Sequence, residues 1–275
     1  MHQIGQTSRR AVRRSALRAG NPAVTGLVVT ADRLADRRAR YFMDQQIGLH
    51  GTIVSIALGV AGLAAASLFD VRAADRPNHA LLWLLWISSL LAVAVVYSGM
   101  TVNVYVLPSR IPSAADMFLP FAVGLTEFML FAVLTTPLTA QLGPRSLIAL
   151  WFGCLCLFAC FASMIIQRVR GLFEHTEYKP KAAQDAVSHV ADLMLSDLRG
   201  ASGTALASAA AAIAFGLFPV VPIDLAYPLN AALICGMLHG IHNQRRQAQL
   251  LEAELSRLPA AAAATSSFEW FNRTR

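Results

Sequence analysis

Residues 146–167 read SLIALWFGCLCLFACFASMIIQ, a run with no charged side chain. At 1.5 Å per residue this run makes roughly 33 Å of helix. A bilayer's hydrocarbon core is about 30 Å thick. In lipid, each backbone N–H and C=O must be satisfied within the segment, so the run is read as a membrane-crossing helix. Five similar stretches flank it, at 51–69, 80–106, 116–139, 204–221 and 224–241. The composition fits this reading. Hydrophobic residues make up 56% of the 275 and charged residues 14%, against about 25% charged in ordinary soluble domains. The expected fold is all-α, a multi-pass transmembrane helical bundle of about six spans with cytosolic amphipathic helices. That composition excludes a soluble enzyme, a disordered regulator and a secreted disulfide scaffold.

The distribution of Lys and Arg orients the spans. With both termini cytoplasmic, only Arg72, Arg76 and Arg145 of the 23 basic residues lie outside. The net charge of +7 is then read as loops facing anionic lipid headgroups, and not as nucleic-acid binding. A bacterial cytoplasmic membrane is the expected location, given the Ala-, Arg- and Leu-rich composition.

Five segments follow from this topology. Residues 1–50 form a basic cytosolic segment ending in a juxtamembrane helix. There Arg33, Arg37 and Arg40 share a face, and Tyr41 and Phe42 sit where interfacial aromatics belong. These five are read as contacts to lipid or to a protein partner. Residues 51–167 hold four spans. Residues 168–203 form a cytosolic loop with an amphipathic helix, its stripe Ala183, Val187, Val190, Met194 and Leu198 closed by Gly200 as C-cap. That stripe is expected to pack on its own protein or on a partner. Residues 204–241 form a two-span hairpin, and 242–275 a cytosolic helix with a flexible tail. A heptad seam through Ile241, Ala248, Leu251, Leu255 and Leu258, broken by Gln244, hints at a homo-oligomer.

Glu127 is the most informative single residue. Near the middle of the third span, a charged side chain costs on the order of 2.5–3.5 kcal/mol on insertion scales. It is read either as an ion or proton site, or as a neutral acid hydrogen-bonded across the bundle to Ser98 or Thr126. Asn230 and His239 join it as buried polar or ion-path candidates. Gly236 and Gly240 form a G-x-x-x-G, and with the small-residue stripe Ala205, Ala209, Ala212 and Gly216 they predict a close-packed hairpin between spans five and six.

Gly200-Ala201-Ser202-Gly203 resembles the G-x-S-G that rhomboid intramembrane proteases place around their nucleophile. The resemblance would imply Ser202 as nucleophile and His239 as base. It covers four residues and one distant histidine, and the chain departs from the family, which has another span between those two helices. Capping roles for Gly200 and Ser202 explain the same residues. Cys154, Cys156, Cys160 and Cys235 lie within spans at no zinc spacing. No phosphate loop or H-E-x-x-H occurs. No catalytic residue, metal or cofactor is expected, and the protein is read as a non-enzyme. The leading expectation is a membrane anchor or adaptor for a cytosolic partner, because almost all soluble mass lies on one side. The alternative is an oligomeric ion or small-solute channel or transporter using Glu127. An intramembrane serine protease is a distant third.

Overall fold

The computed structural model describes residues 48–49, 51–69, 78–106, 114–135, 141–175 and 181–256. Its helices are α1 (Gly51–Phe69), α2 (His79–Val106), α3 (Ala114–Ala132), α4 (Pro144–His175), α5 (Lys181–Leu217) and α6 (Ala226–Ser256). There is no strand among the described residues. α1, α2 over His79–Gly99, α4 over Pro144–Gly171 and α5 over Val187–Leu217 are each long and apolar enough to cross a membrane. The apolar part of α3, Phe118–Ala132, is shorter. Arg33, Arg37, Arg40, Tyr41 and Phe42 lie outside the described residues.

Local chemistry sets the helix ends. Asn78 adopts a left-handed φ of 71°, a conformation asparagine tolerates. Its carbonyl accepts the first turn of α2 from Leu81 N at 2.9 Å. Between α5 and α6, Pro219 and Pro222 deny the backbone a donor at two positions. The chain turns there through a short 3-10 helix, Ile223–Leu225. The N-terminal end of α4 is tied to this turn, because Arg145 Nη1 donates to Phe218 O at 3.4 Å.

Packed helices run both antiparallel and parallel: α2 and α6 run the same way, Ser88 meeting Asn230 and Ser98 meeting Gln244. Trp86 Nε1 donates to Ala61 O at 2.9 Å and His79 meets Leu68 O at 2.9 Å, so α1 and α2 are antiparallel. Ala57, Ala61, Val93 and Phe131 form a small core joining α1, α2 and α3. The main core joins α2, α3, α4, α5 and α6 around Leu85, Leu130, Leu134, Trp151, Phe152 and Phe215. Phe152 and Phe215 stack at 5.9 Å across α4 and α5.

Three expectations are corrected. First, α4 continues to His175 and α5 runs unbroken from Lys181 to Leu217. The cytosolic amphipathic helix and span five are therefore one helix, and Gly200 lies inside it instead of capping it. Val187, Val190, Ala191 and Met194 bury against Val169, Ile165 and Ile166 of α4. That packing outweighs the roughly 1 kcal/mol a glycine costs within a helix. Second, α3 ends at Ala132 and a turn follows, well short of the expected 139. Third, the close pair is α4 with α5. A Cβ on Gly216 would lie 3.5 Å from Ala149 Cβ, whereas Gly236 and Gly240 have nothing within 4 Å. Among the described residues, the G-x-x-x-G therefore seats no neighbouring helix against its glycines.

Candidate functional site: the buried polar groups

Glu127 is fully buried, and neither carboxyl oxygen has a hydrogen-bond partner among the described residues. Its neighbours Val123, Leu130 and Phe131 along α3, and Leu134 in the turn that follows, are all buried and apolar. Gly124, one turn earlier, would place a Cβ 2.0 Å from Ile53 Cγ2, so α1 and α3 nearly touch there. One turn later, Phe131 packs with Ala57, Ala61 and Val93. These contacts place Glu127 between the levels of Ile53 and of Ala57–Ala61 on α1, in the last two turns of α3. The expected partners are engaged elsewhere. Thr126 Oγ1 donates to Val123 O at 2.7 Å, and Ser98 Oγ donates to Gln244 Oε1.

A second polar group lies in the N-terminal halves of α2 and α6. Asn230 is fully buried, and its Oδ1 accepts from Ser88 Oγ at 2.6 Å. Its Nδ2 has no partner among the described residues. On the next residue, Ser89 Oγ accepts from Trp151 Nε1 at 3.1 Å and donates to Leu85 O at 2.9 Å. Adjacent serines of α2 thus tie α6 and α4.

The third group closes the inner half of α5 and α6. Gln247 Nε2 donates to Asp197 Oδ2 at 2.7 Å. Asn243 Nδ2 donates to Asp197 Oδ1 at 3.2 Å and lies 3.2 Å from His239 Nε2. Asn243, Gln244 and Gln247 are all buried. A Cβ on Gly99 would lie 2.9 Å from Gln244 Nε2, so that glycine lets α2 accept the glutamine closely.

The expected ion-path residues therefore do not form one site. Glu127 is on α3, Asn230 is spent on Ser88, and His239 is exposed beside Asn243. Along α6, Asn230 and His239 are separated by about 13 Å. Ser202 is exposed on continuous helix and makes no described hydrogen bond to His239, so the Ser–His pair is not assembled. Among the described residues, no group of three or more His, Cys, Asp or Glu is arranged to hold a metal. Ser88, Ser89, Trp151, Asp197, Asn243 and Gln247 were not singled out as site residues from the sequence. Gln244 was visible only as the break in the seam. Polar residues within apolar helices were the available signal.

The fold and these groups define an all-helical bundle of the membrane-crossing class. No protein-family model, curated protein or solved structure matches the chain.

Proposed function

We propose that this protein is a six-span anchor of the cytoplasmic membrane, with both termini inside, that presents a rigid helical platform to a cytosolic protein partner. The observation that supports it is the overhang of α4, α5 and α6. These helices have 32, 37 and 31 residues, or roughly 48, 56 and 46 Å at 1.5 Å per residue. A bilayer core takes up about 30 Å of each. The overhang is braced by apolar packing around Val190 and Met194 and by the Asp197–Asn243–Gln247 bonds. Its outward face on α5 carries Asp185, Ser188, His189, Asp192 and Ser196, all exposed. The long loops and the basic excess fall on this same side, where anionic headgroups hold the inner ends of the helices. A photocrosslinking residue at Asp185 or Asp192, in the native membrane, is expected to give one discrete adduct. The same residue at lipid-facing Leu58 or Leu206 is expected to give none. Absence of any adduct along the α5 face would sink the reading.

One observation favours a second reading, an oligomeric conduit for ions or small solutes. Glu127 is fully buried among apolar helices with a carboxyl that has no partner among the described residues, and such residues commonly mark ion pathways. Liposome flux of protons or monovalent ions, abolished by Glu127→Gln, is its expected signature. Flux equal in both proteins, or none in either, counts against it.

A further inference from the structure

We propose that Glu127 is an exchangeable proton-binding site that takes H⁺ and not a metal cation. The inference goes beyond the anchor reading. It needs no net transport, so it stands or falls apart from the conduit reading as well. The argument begins with what surrounds the carboxyl. α3 packs against α4 and α2, and against α1 through Gly124 and Phe131. α1 carries no ionisable residue. α2 carries His79, whose ring is spent on Leu68 O at the outer end, and the phenols Tyr97 and Tyr105. α4 carries Arg145, Arg168, Arg170, Glu174 and His175 toward its two ends, with the Cys154, Cys156 and Cys160 thiols between. On α3 itself the only other acid is Asp116, about three turns away. Among the described residues, none of these groups pairs with the Glu127 carboxyl.

A dehydrated metal cation needs about six oxygen ligands. The buried residues one turn away on either side of Glu127 along α3, Val123 and Phe131, supply none, and among the described residues no donor reaches either carboxyl oxygen. A proton needs no ligand set. Bound to one oxygen, it removes the charge that the apolar surroundings oppose. A proton is thus the cation that the described surroundings of Glu127 satisfy without a further ligand. The α1–α3 seam is one turn away, and its closeness depends on Gly124 having no side chain. Separation of α1 from α3 is the motion that would admit water to exchange the proton.

The test uses the full-length protein in liposomes and a membrane-permeant carbodiimide. A neutral carboxylic acid adds its O–H across the reagent's C=N bond, and the product rearranges to a stable N-acylurea. Peptide mass spectrometry locates the adduct. The expected result is an adduct on Glu127 that is absent in Glu127→Gln, is lost as the pH is raised from mildly acidic to alkaline, and is unchanged when choline replaces Na⁺ and K⁺. Protection by Na⁺ or K⁺ would overturn the proposal in favour of a shared metal cation. An adduct independent of pH, or none at any pH, would overturn it in favour of a permanently sealed neutral acid.

Discussion

The carboxyl of Glu127 is enclosed by apolar side chains and given no donor, whereas that of Asp197 accepts amide donors from both Asn243 and Gln247. Both residues are acids on long helices of the same bundle. The difference lies in what each does to its surroundings. Asp197 joins α5 to α6, and removing it strands two buried amides. Among the described residues, Glu127 pairs with no group, and removing it leaves none without a partner. A buried polar group that is fully paired contributes to holding its helices, while an unpaired one retains a cost that packing elsewhere must offset. The first kind is structural by its geometry. The second kind calls for an explanation, and the proposal that Glu127 binds a proton offers one.

The largest expected effect strikes the wall beside Glu127. Gly124→Val places a branched side chain where even a Cβ would lie 2.0 Å from Ile53 Cγ2 and 3.1 Å from Ile53 Cβ. Because Ile53 is branched at that carbon, α1 or α3 must shift. Overpacking of this kind costs about 1–3 kcal/mol, and the upper part of that range is expected here. Thermal unfolding in micelles measures it. Carbodiimide labelling of Glu127 should accelerate in the same protein, since the seam is pried open. A Gly124→Val protein of unchanged stability would mean that α1 does not seat there.

Next in size is Asp197→Ala. It leaves the buried Asn243 and Gln247 amides without their acceptor, at a cost of about 2 kcal/mol. The loss should be local to the overhang. Trypsin cleavage after the exposed Arg199, Arg245 and Arg246 is expected to speed up, while cleavage after Arg145 at the far end stays unchanged. Uniform acceleration would show that the polar brace supports the whole bundle instead of its inner half.

Much of this architecture is legible in the sequence, and the part that is not has a common physical cause. Apolar runs longer than a bilayer is thick announce α1, α2, α4 and most of α5, because lipid leaves helix as the only solution. Glu127 and Asn230 stand out as polar residues in such runs, and both prove fully buried. The stripe Val187, Val190 and Met194 marks a face that meets α4. The misreadings arise where local signals compete with packing. Gly200 and Gly203 punctuate the sequence as helix ends do, but burial of Met194 before them and Ala205 after them carries α5 straight through. The G-x-x-x-G at Gly236 and Gly240 is a local pattern without a partner in this chain, whereas Gly124, with no motif around it, is the glycine that meets Ile53. Partners such as Ser88 with Asn230, or Asp197 with Gln247, lie far apart in sequence. No periodicity within one helix reports on them.

A smaller effect of opposite sign separates the two carboxyls most directly. Glu127→Leu replaces an unpaired polar group with an apolar one of similar length and leaves no other group unsatisfied. Substitutions of this kind are neutral or stabilising, and a gain of about 1 kcal/mol is expected in micelle unfolding. Glu127→Leu raising stability while Asp197→Ala lowers it would sharpen the contrast. Loss of stability in both would break it, because Glu127 would then have a partner that its surroundings do not display.

The smallest effect tests the glycine that sequence pattern favoured. Gly236 is exposed, and a Cβ there meets nothing within 4 Å. Gly236→Leu therefore introduces no clash within the chain and removes a poor helix former. Stability is expected to stay level or rise by up to about 1 kcal/mol, against the clear loss for Gly124→Val. Glycines at i and i+4 on an exposed face of a membrane helix can instead seat a second copy. Chemical cross-linking of the same protein separates the two cases. Unchanged cross-linking with unchanged stability makes Gly236 a lipid-facing glycine. Unchanged stability with lost cross-linking makes the α6 stripe an interface between copies, and the small residues that do no packing within the chain would then do it between chains.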